Sequence, residues 1–197
     1  MIVLASQSAA RRAMLSAAGV AHDAVPAHVD EDEVTAGLVA AGASPDHIAD
    51  ALAELKAVKI SRSHRGLLVL GADSVVVAAD GILIDKATNR SDAIAQLQRL
   101  SGTTHRLVSA AVIARDGVPI WRANGTARLT MRTLSTHFIA GYLTAEGDDL
   151  LDCVGCYRIE GRGAQLFTRV DGDQFVVRGL PLLEVLDYLR ICGELPA

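Results

Sequence analysis

The stretch LLVLGADSVVVAADGILI, residues 67–84, limits the fold more than any other part of the chain. Two aliphatic runs flank Gly71-Ala72-Asp73-Ser74, and an Asp80-Gly81 pair separates the second run from a third. Short continuous apolar runs read as strands buried on both faces, and Asp-Gly between such runs is a hairpin signal. The stretch therefore reads as strand, polar interruption, strand, turn and strand. Asp73 stands directly after an apolar strand, so its carboxylate is expected to emerge at a strand end, where the functional carboxylates of α/β enzymes often lie. A charge between two apolar runs is unfavourable unless it has a partner or a task. The plainer alternative is that Asp73 and Ser74 simply form a turn.

Helix and strand signals alternate along most of the remaining chain. Residues 2–5 read as a short buried strand, and Ser8 can cap a helix that runs through Met14 and Leu15 to Gly19. Residues 22–29 look extended and end at the acidic run Asp30-Glu31-Asp32-Glu33. Ser44-Pro45-Asp46 starts a helix with Ile48, Leu52 and Leu55 at helical spacing, reaching toward Ser61. Ser91-Asp92 is expected to cap a helix through Leu97 and Leu100. Two long strands surround Asp116-Gly117, and Ser135 caps another helix. A Gly-rich stretch at 155–163, more strand and a helix at 182–191 close the chain. This order predicts an α/β fold around a mixed sheet, and the length, with no linker to argue for two domains, suits one well-cored domain or two small lobes sharing a cleft.

Half of the 197 residues are hydrophobic, 21% are charged and the net charge is −4, which is the profile of an ordinary globule without a basic footprint for nucleic acid. The N-terminal apolar run is four residues long and meets arginines at once, so neither a membrane span nor a signal peptide is expected, and the cytoplasm is the default location. Cys153, Cys156 and Cys192 are too few for a disulfide framework. The CVGC stretch lacks the second pair that a zinc site would need, and it reads as two small, half-buried thiols.

Several stretches carry potential chemistry. Residues 6–12 form a strand-to-helix junction, where unpaired N–H groups and the helix dipole favour anions. Ser6 and Ser8 add hydroxyls there, and Arg11 or Arg12 can fork onto phosphate or carboxylate oxygens; a capped surface helix with two solvated arginines is the bland reading. Lys56 and Lys86 each sit beside apolar positions, as phosphate ligands or as surface lysines. The acidic run lacks the spacing of an EF-hand loop and reads either as a cation site or as a solvated loop. In EGRGAQLF, Gly161 and Gly163 flank Arg162, which lets backbone approach a ligand closely or merely forms a turn.

Taken together, these stretches resemble the Maf family of nucleoside triphosphate pyrophosphatases. The likeness rests on LASQS followed by arginine, VDE at 29–31, LAELKA at 52–57, GADSVVV with the later Asp-Gly and Lys86, LSGTTH at 100–105, EGRGA at 160–164 and VVRGLPL at 176–182. These motifs run in the family's order across nearly the whole chain. The resemblance implies a mixed sheet flanked by helices with a deep cleft, as in the inosine triphosphate pyrophosphatases, and a homodimer. It also implies hydrolysis of a nucleoside triphosphate between the α- and β-phosphates with Mg2+ or Mn2+.

By the same resemblance Asp73 is the catalytic residue that takes a proton from the attacking water. Ser8, Arg11, Lys56 and Lys86 gather round the triphosphate, and Glu31 is the metal ligand or a carboxylate just behind it. Ala10, Ser74 and Glu160 stand at the positions with which the family chooses a base. Where the common family pattern reads S-P-R-R, this chain has Ser8-Ala9-Ala10-Arg11, and Asp85-Lys86-Ala87 replaces Gly-Lys-Pro. Glu160 and the surrounding CVGCYRIEG resemble the branch acting on 7-methyl-GTP, whereas Arg162 follows the thymidine/uridine-preferring branch. A modified-purine preference is the expectation. A nucleotide-sensing protein involved in cell-division control, with hydrolysis lost, and inosine/xanthosine triphosphate hydrolysis are the alternatives.

Overall fold

The computed structural model describes residues 1–196. Its strands are β1 (Ile2–Leu4), β2 (His22–Ala24), β3 (Val69–Val77), β4 (Leu83–Ile84), β5 (Thr104–Arg115), β6 (Val118–Met131) and β7 (Phe167–Asp171). Its helices are α1 (Ala9–Ala17), α2 (Glu31–Ala40), α3 (Pro45–Ser61), α4 (Arg90–Leu100), α5 (Thr136–Glu146), α6 (Gln174–Val177) and α7 (Leu182–Ile191). The strands hydrogen-bond in the order β2-β1-β3-β5-β6-β7, with β4 also on β3. β1 is parallel to β2 and β3, whereas β3–β4 and β6–β7 are antiparallel, so the sheet is mixed as its sequence pattern predicts.

The chain divides into two compact units. The first comprises Met1–Ser74, Val108–Gly125 and the stretch from Asp173 onward; the second comprises Val75–Leu107 and Thr126–Gly172. In the first unit β1 alternates between two cores. Ile2 and Leu4 pack with Met14 and Leu15 of α1 and with Val185 and Leu189 of α7, while Val3 and Ala5 face Ala27, Ile60 and Val69. A strand covered on both faces needs no polar side, which is why IVLA is apolar throughout. Each buried Leu or Ile of this kind contributes roughly 1.5–3 kcal/mol of transfer free energy.

The second unit buries Ala93, Leu97 and Leu100 of α4 and Ile139, Tyr142 and Leu143 of α5. Within it Tyr157 meets Phe167 edge to face at 4.9 Å, and His105 lies 5.6 Å from the Tyr157 ring.

Four local expectations are corrected. The polar interruption at 71–74 is absent: β3 runs unbroken from Val69 to Val77, so Asp73 lies mid-strand and not at a strand end. The strand tolerates that charge because Asp73 has a cationic partner from α3. The extended stretch from 22 shrinks to β2, His22–Ala24. The acidic run is no loop but the first turn of α2, where Asp30 caps Glu33 N–H and Glu31, Asp32 and Glu33 suit the positive end of the helix dipole. Finally, α4 is capped by Asn89, which accepts from Asp92 N–H, and not by Ser91. Ser8, Ser44 and Ser135 do cap their helices, each accepting a backbone N–H.

Candidate active site

Small residues bring α3 against β3. A Cβ built on Gly71 would fall 2.1 Å from the Ala53 carbonyl oxygen and 2.7 Å from the Ala57 nitrogen, so helix and strand backbones touch directly there. Gly71 and Asp73 share a strand face, and Ala53, Lys56 and Ala57 share a helix face. The contact therefore delivers Lys56 to Asp73. Lys56 Nζ donates to Asp73 Oδ1 at 2.5 Å and reaches Glu31 Oε1 of α2 at 2.8 Å. Lys56 and Asp73 are buried, at 6% and 7% exposure, and a buried pair with one partner removed is strongly destabilised.

The β1–α1 junction supplies the second half of this cluster. Ser8 Oγ accepts from Arg11 N–H at 3.4 Å, and Ser8 N–H donates to Ser6 Oγ at 3.2 Å. The Arg11 guanidinium is held on three sides: Nε donates to Gly179 O at 2.8 Å, Nη1 to Ser6 Oγ at 3.3 Å and Nη2 to Ser74 Oγ at 3.2 Å. Burial lowers the Arg11 pKa from its ordinary value, and the Asp73 and Glu31 carboxylates oppose that shift. Three cationic or dipolar features thus converge beside two carboxylates: Arg11, Lys56 and the N-terminus of α1. Such a cluster is equipped to hold anionic oxygens and to accept a proton.

Residues 1–192 match the family described as Maf-like protein. The chain belongs to the Maf family. It is 51% identical over 195 residues to a protein of Sphingopyxis alaskensis, covering 99% of this chain and 98% of the relative. It is 50% identical over 194 residues to one of Caulobacter vibrioides, covering 98% and 96%. Both relatives bear the name nucleoside triphosphate pyrophosphatase.

Ala10 lies half-buried in the first turn of α1. In the second unit Lys86 is exposed after β4, and Glu160 is exposed ahead of the turn that carries Arg162. Cys153 ties these positions together electrostatically. Burial pushes its thiol pKa up, Arg158 and Lys86 pull it down, and Glu160 and Asp152 push it up. Burial also raises Cys156, to about 11, so neither thiol has the depressed pKa of a reactive cysteine. Asp85 is exposed, and its backbone carbonyl accepts from Gln96 Nε2 at 2.9 Å.

The donor set suits a hard divalent cation. Glu31 and Asp73 already converge on one positive centre, the Lys56 ammonium, and both offer carboxylate oxygens. Among the described residues no group of three or more His, Cys, Asp or Glu could hold a metal ion. Two carboxylates completed by water and phosphate oxygens are a pattern that Mg2+ accepts.

Ser109 and the two glycines escape a reading of the sequence for chemistry. Ser109 is a buried hydroxyl inside the apolar run of β5, a pattern that only marks it as a polar group needing a partner. Gly71 and Gly179 sit inside recognisable motifs, but their roles depend on what packs against them. At Gly179, with φ of +98°, an added Cβ would lie 3.3 Å from Ser74 Oγ and 3.4 Å from Arg11 Nε.

Proposed function

We propose that this Maf-family chain hydrolyses a nucleoside triphosphate between its α- and β-phosphates, releasing a monophosphate and pyrophosphate, and that it favours modified purine nucleotides such as 7-methyl-GTP. The observation that carries the reading is the buried Lys56–Asp73 pair, flanked by Glu31 and by the Arg11 guanidinium. The names of relatives about half identical over nearly the full chain support the same reaction.

Hydrolysis of a phosphoanhydride needs an aligned water, positive charge around the phosphoryl oxygens and stabilisation of the leaving pyrophosphate. Lys56 engages Asp73 through Oδ1, which leaves Oδ2 to take a proton from the water. Arg11, Lys56 and the capped N-terminus of α1 with Ser8 hold the phosphate oxygens, and Lys86 joins them in this reading. A divalent cation, Mg2+ or Mn2+, held by Glu31 together with water and phosphate oxygens would neutralise phosphate charge and orient the substrate. Glu160 can accept hydrogen bonds from guanine N1–H and N2–H2 or counter the charge of a methylated guanine, while Ala10 and Ser74 complete the base-selecting set.

The same reading includes a single Maf-like domain over residues 1–197 with a deep cleft, a homodimer and a cytoplasmic setting. No helix of the described residues is long and apolar enough to cross a membrane. The deciding experiment measures pyrophosphate release from a panel of canonical triphosphates, inosine and xanthosine triphosphates and 7-methyl-GTP, with Mg2+ or Mn2+, for the wild type and Asp73→Asn. Release by the wild type alone, fastest with 7-methyl-GTP, is the expected result. Faster turnover of pyrimidine triphosphates overturns the base preference. No release above the variant leaves a nucleotide-binding protein in place of an enzyme.

A further inference from the structure

We propose that Ser109 is a positioning residue for the triphosphate site, acting on Arg11 through Ser74 along a one-directional hydrogen-bond relay anchored on the Val176 carbonyl. The proposal rests on the reading of Arg11 as a phosphate ligand. Ser109 Oγ donates to Val176 O at 2.8 Å and lies 2.8 Å from Ser74 Oγ. A hydroxyl has one hydrogen. Since that of Ser109 is committed to the carbonyl, Ser109 must accept from Ser74. Ser74, its own hydrogen spent in that bond, presents only lone pairs to Arg11 Nη2, 3.2 Å away. The order is therefore Arg11 N–H to Ser74, Ser74 O–H to Ser109, and Ser109 O–H to Val176 C=O.

Two features make this relay matter for Arg11. First, Ser109 is fully buried, so no solvent competes for its hydroxyl and the direction of the chain cannot reverse. Second, the segment that receives the relay also grips the guanidinium directly. Val176 lies in α6 and Gly179 follows it, and the Gly179 carbonyl accepts from Arg11 Nε at 2.8 Å. With Ser6 on Nη1, three of the five guanidinium N–H groups are used inside the protein. One N–H remains on each terminal nitrogen, a pair suited to two oxygens of one phosphate. The relay thus sets which edge of Arg11 faces the substrate. It also assigns Ser74 a role that needs no contact with a base.

The test is a double-mutant cycle between Ser109→Ala and Arg11→Ala, read by calorimetric binding of inorganic tripolyphosphate and by kcat/KM for the best triphosphate, with urea midpoints as a folding control. Ser109→Ala in the wild-type background is expected to weaken tripolyphosphate binding and kcat/KM by about 10-fold, as for a misoriented positioning group. In the Arg11→Ala background it should change either by less than about 2-fold, because residues in one hydrogen-bond network couple. Ser74→Ala breaks the same relay at a less buried link and should show the same dependence on Arg11; it carries the test if Ser109→Ala fails to fold. Equal losses with and without Arg11, unchanged binding in a folded single variant, or no tripolyphosphate binding by the wild type each overturn the relay. Wild type that binds tripolyphosphate with this coupling but releases no pyrophosphate keeps the relay and removes the enzymatic reading.

Discussion

The Gly71 backbone lies so close to Ala53 that a methyl group placed on it would fall 2.1 Å from the Ala53 carbonyl oxygen. That approach aligns α3 on β3 and thereby sets Lys56 beside Asp73. Gly71→Ala must push the helix away, because the obstruction is backbone and not a flexible side chain. Overpacking of this kind destabilises by about 1–3 kcal/mol, on the order of 5 °C in Tm for a chain of this size. The expected outcome is a lower urea midpoint with unchanged m, together with a fall in pyrophosphate release larger than the stability loss alone explains.

Lys56→Met leaves the buried Asp73 carboxylate without the partner that now lies 2.5 Å away. Breaking a buried pair on one side costs about 3–5 kcal/mol. Adding Asp73→Asn to Lys56→Met removes the stranded charge and should restore most of that loss. Chemical unfolding of the two single variants and the double variant measures the recovery, and additive losses would contradict it.

Glu31→Gln tests the cation reading separately from phosphate binding. The carboxylate is only half-buried, so the fold should tolerate the change. The concentration of Mg2+ or Mn2+ giving half-maximal pyrophosphate release should rise about 10–100-fold, the range seen when a supporting metal-site carboxylate is lost. Chelation of the cation should abolish release by the wild type, and a titration unchanged by Glu31→Gln would remove this residue from the metal site.

His105 sets a pH dependence in the second unit. Its Nε2 lies 2.9 Å from the Tyr157 hydroxyl, its buried Nδ1 has no partner, and burial pushes its pKa down to about 4 from 6.5. The depressed folded value means that the unfolded chain binds the proton first as pH falls. Stability from this group is therefore complete above pH 6.5, declines between 6.5 and about 4, and levels off below. The loss is on the order of 3 kcal/mol. Urea midpoints at pH 7 and pH 4.5 should differ less in His105→Gln than in the wild type.

Much of the site is legible because its chemistry stands out against its neighbours. Asp73 interrupts an apolar run, Arg11 follows a capped strand-to-helix junction, and Lys56 interrupts a helical apolar face; the structure places all three in the first unit beside Glu31. Helix α2 was not legible, because it buries no residue and so leaves no apolar stripe, although Asp30 and the acidic first turn are start signals. The break expected within β3 failed for a different reason. A strand is not judged by its own residues alone when a helix can supply a partner for its charge.

By itself, the sequence determined the alternation of helices and strands, the serine caps of α1, α3 and α5, the Asp-Gly turns and the family motifs, since these depend on local backbone preference and on periodic burial. Tertiary structure decided which side chains meet. Ser109 could not be distinguished from any buried serine until Val176 and Ser74 were brought to it, and Gly71 could not be distinguished from a strand glycine until Ala53 lay against it. Hydrogen bonds and close packing act over a few ångströms, whereas these partners are separated by 67, 35 and 18 residues of chain. No local pattern encodes such distances; the folded chain does.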